Sequence, residues 1–259
     1  MTDSTGHTEL ARALAGAADA EDETQLRQIV GLAARSAREA GAKAVTSGQW
    51  LAEVALELAG HLNVRDLATL REHHDGLAGP LLARVLIRNA SLTSAMAGAA
   101  TGALAAASEA MPATWGTLPI ELVVETLVVV AVEMKLVGEL HEAAGIALPK
   151  SFGDKASLIA RSWAESRGVR RDDVVLLAQA AGAGATAPIA GAAAGLLGRS
   201  GRDQLISHLR RRLLRRAGKN ALSFTPLLIG GVAGAVLNRW VTRRLGLEVA
   251  TSLGIPPPR

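Results

Sequence analysis

"KNALSFTPLLIGGVAGAVLNRWVTRRLG", Lys219 to Gly246, is the stretch on which the fold turns. From Asn220 to Asn238 it runs 19 residues without a charge, closed by Lys219 at one end and Arg239 at the other. A stretch of that length and composition fits either a segment that meets a bilayer or the buried helix of a bundle. Its Gly, Ser, Thr, Asn and Pro226 hold the hydrophobicity below that of an obvious transmembrane span. Two further uncharged runs lie upstream, 20 residues from Asn89 to Ser108 and 25 from Val174 to Gly198. Each of the three holds a Gly-x-x-x-Gly pair: Gly98/Gly102, Gly191/Gly195 and Gly230/Gly234. Glycines four apart share one helix face and let a neighbouring backbone approach closely, which serves helix association in lipid and tight packing in a water-soluble bundle alike.

Working outward, the composition selects helices. Apolar residues make up 49% of the 259, yet there are 2 Phe, 4 Trp and no Tyr, so the apolar share is mostly Ala, Leu and Val. Ala and Leu lose little on entering a helix, whereas strands favour aromatic and β-branched residues. No strand alternation and no fixed-period repeat is visible. Helical spacing begins at Glu21 and runs to Gly41, then continues over about 43–60, 64–75 and 78–90, with Gly60, Gly76 and Gly79-Pro80 as punctuation. A long aliphatic helix follows, opened by Thr117 and Pro119 and closed by a left-handed cap at Gly145. The expectation is an all-α helical bundle with Gly/Ala-rich helical hairpins, in four parts. These are a loose acidic tail over 1–20, an N-terminal bundle over 21–110, a hairpin module with a basic helix over 111–252, and a Pro-rich tail over 253–259.

Charge is unevenly spread. From Arg199 to Arg259 there are 12 Lys/Arg against Asp203 and Glu248, a net of +10, while the preceding 198 residues carry 16 basic and 22 acidic side chains. A cationic C-terminal quarter points to anionic lipid, nucleic acid or an acidic protein face. At ~100° per residue, Leu205, Ile206, Leu209, Leu213 and Ala217 fall on one side of a helix and Arg211, Arg212, Arg215 and Lys219 on the other, with Arg210 intruding on the apolar side. Such a helix suits a lipid interface, or a water-facing helix with one core stripe. Nucleic acid is not expected, because stacking aromatics and a binding motif are missing. The chain starts acidic, without the basic and apolar blocks of a signal peptide, which implies a cytoplasmic beginning. Cys is absent, so disulfides and thiolate metal sites are excluded.

Catalytic patterns are weak. Glu121, Glu125, Lys135, Glu139 and Glu142 fall in one stripe of the long helix, which reads as water-facing or as internal ion pairs rather than as an acid/base pair. His73 and His74 are adjacent, so they point ~100° apart and do not make the i, i+4 pair of a helical zinc site. No phosphate loop and no nucleophile elbow is present.

The basic helix Arg210 to Lys219 is followed by Pro226, then Gly230, Gly231 and Gly234, then Asn238, Thr242, Arg243 and Gly246. In that order the residues resemble the C-terminal part of the EcsC family, although Pro226 to Gly234 is slightly longer than the family pattern. Leu118 to Ile146 resembles, more loosely, the family's earlier aliphatic helix. The resemblance implies a membrane-linked protein and brings no reaction with it.

Together these features lead to the expectation of a non-enzymatic, EcsC-like protein without cofactor or metal, docking on or partly inserting into the cytoplasmic leaflet. Arg211, Arg212, Arg215, Lys219 and Arg243 would meet the head groups of anionic lipids. Gly98, Gly102, Gly191, Gly195, Gly230 and Gly234 would pack helices, and Pro226, Asn238, Thr242 and Gly246 would shape the hairpin. A membrane protein or a second copy of the chain is a further expected partner. The rival expectation is a soluble helical scaffold that binds a protein through its basic C-terminal face.

Overall fold

The computed structural model describes residues 4–18, 23–107, 120–167, 206–207, 209–210 and 228–256, and all regular structure among them is helical. Its centre is α7, Ile120–Ala143, in which every residue from 123 to 143 is buried. A helix aliphatic on nearly all sides has no face to give to water and is enclosed by others. Around it pack α1 (Ser4–Ala17), α2 (Glu23–Ala40), α4 (Gln49–His61), α5 (Leu67–His73), α6 (Gly79–Ala107), α8 (Phe152–Ser166) and α9 (Leu228–Ser252). The short α3 (Ala42–Ser47) precedes α4. The cap expected after α7 is present: Gly145 sits at φ 78° and Ile146 N donates to His141 O at 2.9 Å.

Three readings of the sequence are corrected. Residues 4–18 of the expected loose tail are ordered as α1 and its end, which puts Leu10, Ala11 and Leu14 at 0% exposure against α2 and α4. Their 3-and-4 spacing was a helix signal hidden among polar neighbours. The helix expected over 43–60 is two, broken at Gly48, where φ 83° suits a residue without Cβ. Gly60 lies one residue before the end of α4, where the helix was expected to close, and a Cβ there would overlap the Phe152 ring, so the glycine also admits that ring. The helix expected over 78–90 continues as α6 to Ala107, through the whole first part of the uncharged run.

The most extensive helix pairing is α6 with α9, so packing runs across the expected division at residue 110. These two lie antiparallel: Gly98 faces Ala235 and Asn238, Ser94 meets Thr242, and Ile87 meets Gly246. α9 likewise ends in a left-handed cap, Gly254 at φ 76° with Ile255 N donating to Ala250 O at 2.9 Å. Ile255, expected in the Pro-rich tail, is buried as the apolar contact of that cap. Among the described residues no helix is long and apolar enough to cross a membrane.

Candidate functional site

The buried face of α9 is set by residues four apart: Gly234, Asn238, Thr242 and Gly246. Asn238 Nδ2 donates to Glu125 Oε1 at 2.7 Å. The Thr242 hydroxyl lies 3.0 Å from Ser94 Oγ and 3.3 Å from Glu133 Oε1. At Gly98 an added Cβ would meet Asn238 Nδ2 at 2.7 Å, Ala235 N at 3.1 Å and Glu125 Oε1 at 3.1 Å; at Gly246 it would meet Ile87 Cγ1 at 2.7 Å. Gly234 faces the same place, near Glu125 and the Gly98 carbonyl. Gly98 and Gly234 therefore lie where α6 and α9 of this one chain approach, with a carboxylate of α7 wedged at the crossing, while the surroundings of Gly102 and Gly230 lie outside what the structure describes. Asn238, expected to shape the hairpin, bonds across to Glu125 of α7.

Among the described side chains, the carboxylates of α7 are not water-facing; that of Glu121 lies outside them. Glu125, Lys135, Glu139 and Glu142 are all buried, and Glu133, which sequence phase put outside the stripe, is at 0% exposure. Glu133 accepts from Trp163 Nε1 at 3.0 Å and pairs with Arg167. Glu139 takes a two-pronged contact from Arg65, at 2.7 and 3.0 Å, with Lys135 Nζ 3.9 Å away. Glu142 accepts from the backbone of Leu67 and of Leu148 and so ties two loops to the helix end. Burial pushes the Lys135 ammonium below its usual range, opposed by Glu139, while the Glu139 hydrogen bond holds Arg65 above its own. The internal ion-pair reading of the stripe holds for Glu139 with Arg65 and Lys135, whereas Glu125 and Glu142 are matched by neutral donors, as burial demands.

His141 and Ser162 stand 3.3 Å apart, with His141 Nδ1 2.8 Å from Val137 O, and His61 stacks edge-on against Phe152 beside Glu57. His73 and His74 close α5, where His74 N and Gly76 N both donate to Arg71 O. The histidines are thus dispersed, and among the described residues no group of three or more is placed to hold a metal ion.

The outer face of α9 is of another kind. Val236 and Trp240 are 64% and 58% exposed, Leu247 is exposed with them, and at ~100° per residue the three share one ridge. Arg239 and Arg243 are exposed on the flank of that ridge nearest α6. Arg244, on the other flank, lies 2.8 Å from Glu248 and 5.8 Å from the Trp240 ring centre. On α6 the order is mirrored: exposed Arg84 and Arg88 lie toward α9, and exposed Leu81, Leu92 and Met96 beyond them. The pair therefore shows solvent two apolar ridges with arginines between, on the side away from α7.

Sequence reasoning found Arg243 and missed its companions, since Arg84 and Arg88 sit in what reads as an ordinary amphipathic helix. Arg211, Arg212, Arg215, Lys219, Gly191, Gly195 and Pro226 lie outside the described residues. At the start of the basic helix Leu209 is fully buried, and Ile206 and the Cβ of Arg210 both lie by Gly48, so Arg210 starts on the side of Ile206 while remaining exposed overall. No family model, curated protein or solved structure matches this chain.

Proposed function

We propose that the protein is a non-enzymatic, membrane-associated helical bundle of EcsC-like type that docks on the anionic surface of the cytoplasmic leaflet through the outer face of α6 and α9. The observation that carries this is the Val236, Trp240 and Leu247 ridge beside Arg239 and Arg243, on a helix whose opposite face is fixed by buried hydrogen bonds. Trp suits the boundary between head groups and hydrocarbon, with its apolar body in one and its N–H in the other. Four arginines at about 1 kcal/mol each give about 4 kcal/mol, a millimolar association by themselves. Burial of the ridges supplies the rest, and the basic helix with Arg211, Arg212, Arg215 and Lys219 would add to it.

The α7 carboxylates support a non-enzymatic reading, because each already serves as an acceptor inside the bundle. Co-sedimentation tests the proposal. Binding to phosphatidylglycerol vesicles and not to phosphatidylcholine vesicles is expected, weakened by salt, by Trp240→Ser and by Arg239→Gln with Arg243→Gln. Recovery in the supernatant with every lipid sinks the docking reading and leaves the acidic protein partner as the occupant of this face.

A further inference from the structure

The two arginine pairs are not merely neighbours in charge; the glycine crossing sets them into a row. Ser94 against Thr242 and Ile87 against Gly246 fix the antiparallel register. With a rise of about 1.5 Å per residue, that register spaces Arg84, Arg88, Arg243 and Arg239 at steps of about 5–6 Å along the seam. Helical phase puts all four on the solvent side of the seam, opposite α7. Among the described residues, no carboxylate forms an ion pair with Arg88, Arg239 or Arg243, whereas Arg244 has Glu248. Like charges so close repel, and the repulsion is relieved by a compact polyanion that reaches both helices. A guanidinium matches phosphate oxygens in a two-pronged fork, and a terminal phosphate offers three such oxygens and up to two charges, where a phosphodiester offers two oxygens and one charge. The apolar ridges on either side place the row at the depth of lipid head groups rather than in open solvent.

Resting on the docking reading above, we infer that the seam between α6 and α9 is a selective site for lipids whose head group ends in a phosphomonoester, gripped between Arg88 and Arg243. Vesicles holding phosphatidate or phosphatidylglycerol at matched surface charge provide the test. Binding is expected to be about fivefold tighter with phosphatidate, from the added charge-assisted bonds. The double variant Arg88→Lys with Arg243→Lys keeps the charge and loses the fork; the ratio of its affinities for the two vesicles is expected to fall from about fivefold to about one, read as a ratio so that any general weakening of docking cancels. Circular dichroism melts of that variant should match the parent, both side chains being exposed. Equal binding of the unmodified protein to both vesicles overturns the selectivity and leaves docking intact, whereas no binding to either removes both. Glycerol 3-phosphate distinguishes the source: if it binds saturably without vesicles and strips the protein from phosphatidate, the site serves a free phosphate and the lipid assignment is wrong.

Discussion

Asn238 on α9 donates its amide to Glu125 on α7 at 2.7 Å, directly over Gly98 of α6, so that one hydrogen bond joins three helices at the point where two of them cross. The bond exists because Gly98 has no side chain. Its environment is dry enough that the carboxylate depends on its donors, and the proposed docking face lies on the far side of the same two helices.

Removing the donor should therefore be costly. Asn238→Leu leaves the Glu125 carboxylate short of a partner, and a loss of about 1–3 kcal/mol in urea unfolding is expected. Glu125→Gln with Asn238→Leu should lose less than the sum of the single changes, which a double-mutant cycle reads directly. Additive losses would mean the two residues act independently.

Gly98→Ala should lose about 1–3 kcal/mol, because the new Cβ meets a backbone nitrogen as well as the Asn238 amide, and the helices have to part. Gly31→Ala should do the reverse. Nothing stands within 4 Å of a Cβ there, on the exposed face of α2, so a gain of about 0.5–1 kcal/mol is expected from helix propensity. Opposite signs at two helical glycines isolate packing from propensity.

Lys135 gives a pH signature. Burial lowers its folded-state value below the usual 10.5, so the folded protein releases this proton first as the solution becomes alkaline. Below the folded value both states carry the charge and the burial penalty is constant. Between that value and 10.5 the unfolded state binds more protons, and this residue's contribution to stability rises with pH. Lys135→Met should be more stable than the parent at neutral pH, and the difference should shrink as pH rises through that window. A difference independent of pH, or one that grows, contradicts the assignment.

How much of this was legible depended on where the information lay. The long aliphatic helix and its Gly145 cap were readable because both signals are local, a run of Val and Leu and one glycine with an apolar residue after it. The fate of Glu125, Glu133 and Glu139 was not. A carboxylate on a helix is written the same way whether it faces water or a donor far away in sequence, and Asn238, Trp163 and Arg65 lie 113, 30 and 74 residues from them. The glycine pairs were visible as motifs, while the choice of partner helix was a tertiary fact. Arg243 was noticed within its basic cluster, but the row with Arg88 arises from the antiparallel register of two helices, which no spacing along one chain records.

The most direct test of the docking claim uses the absence of native cysteine. Val236→Cys, labelled with an environment-sensitive fluorophore, reports from the exposed ridge of α9; Glu72→Cys, on exposed α5, serves as the reference. The account predicts a blue shift and brightening at position 236 with anionic vesicles, none with phosphatidylcholine, and no change at position 72 with either. Association of the protein with anionic vesicles while the label at 236 still reports water would contradict it, because some other face would then be meeting the lipid.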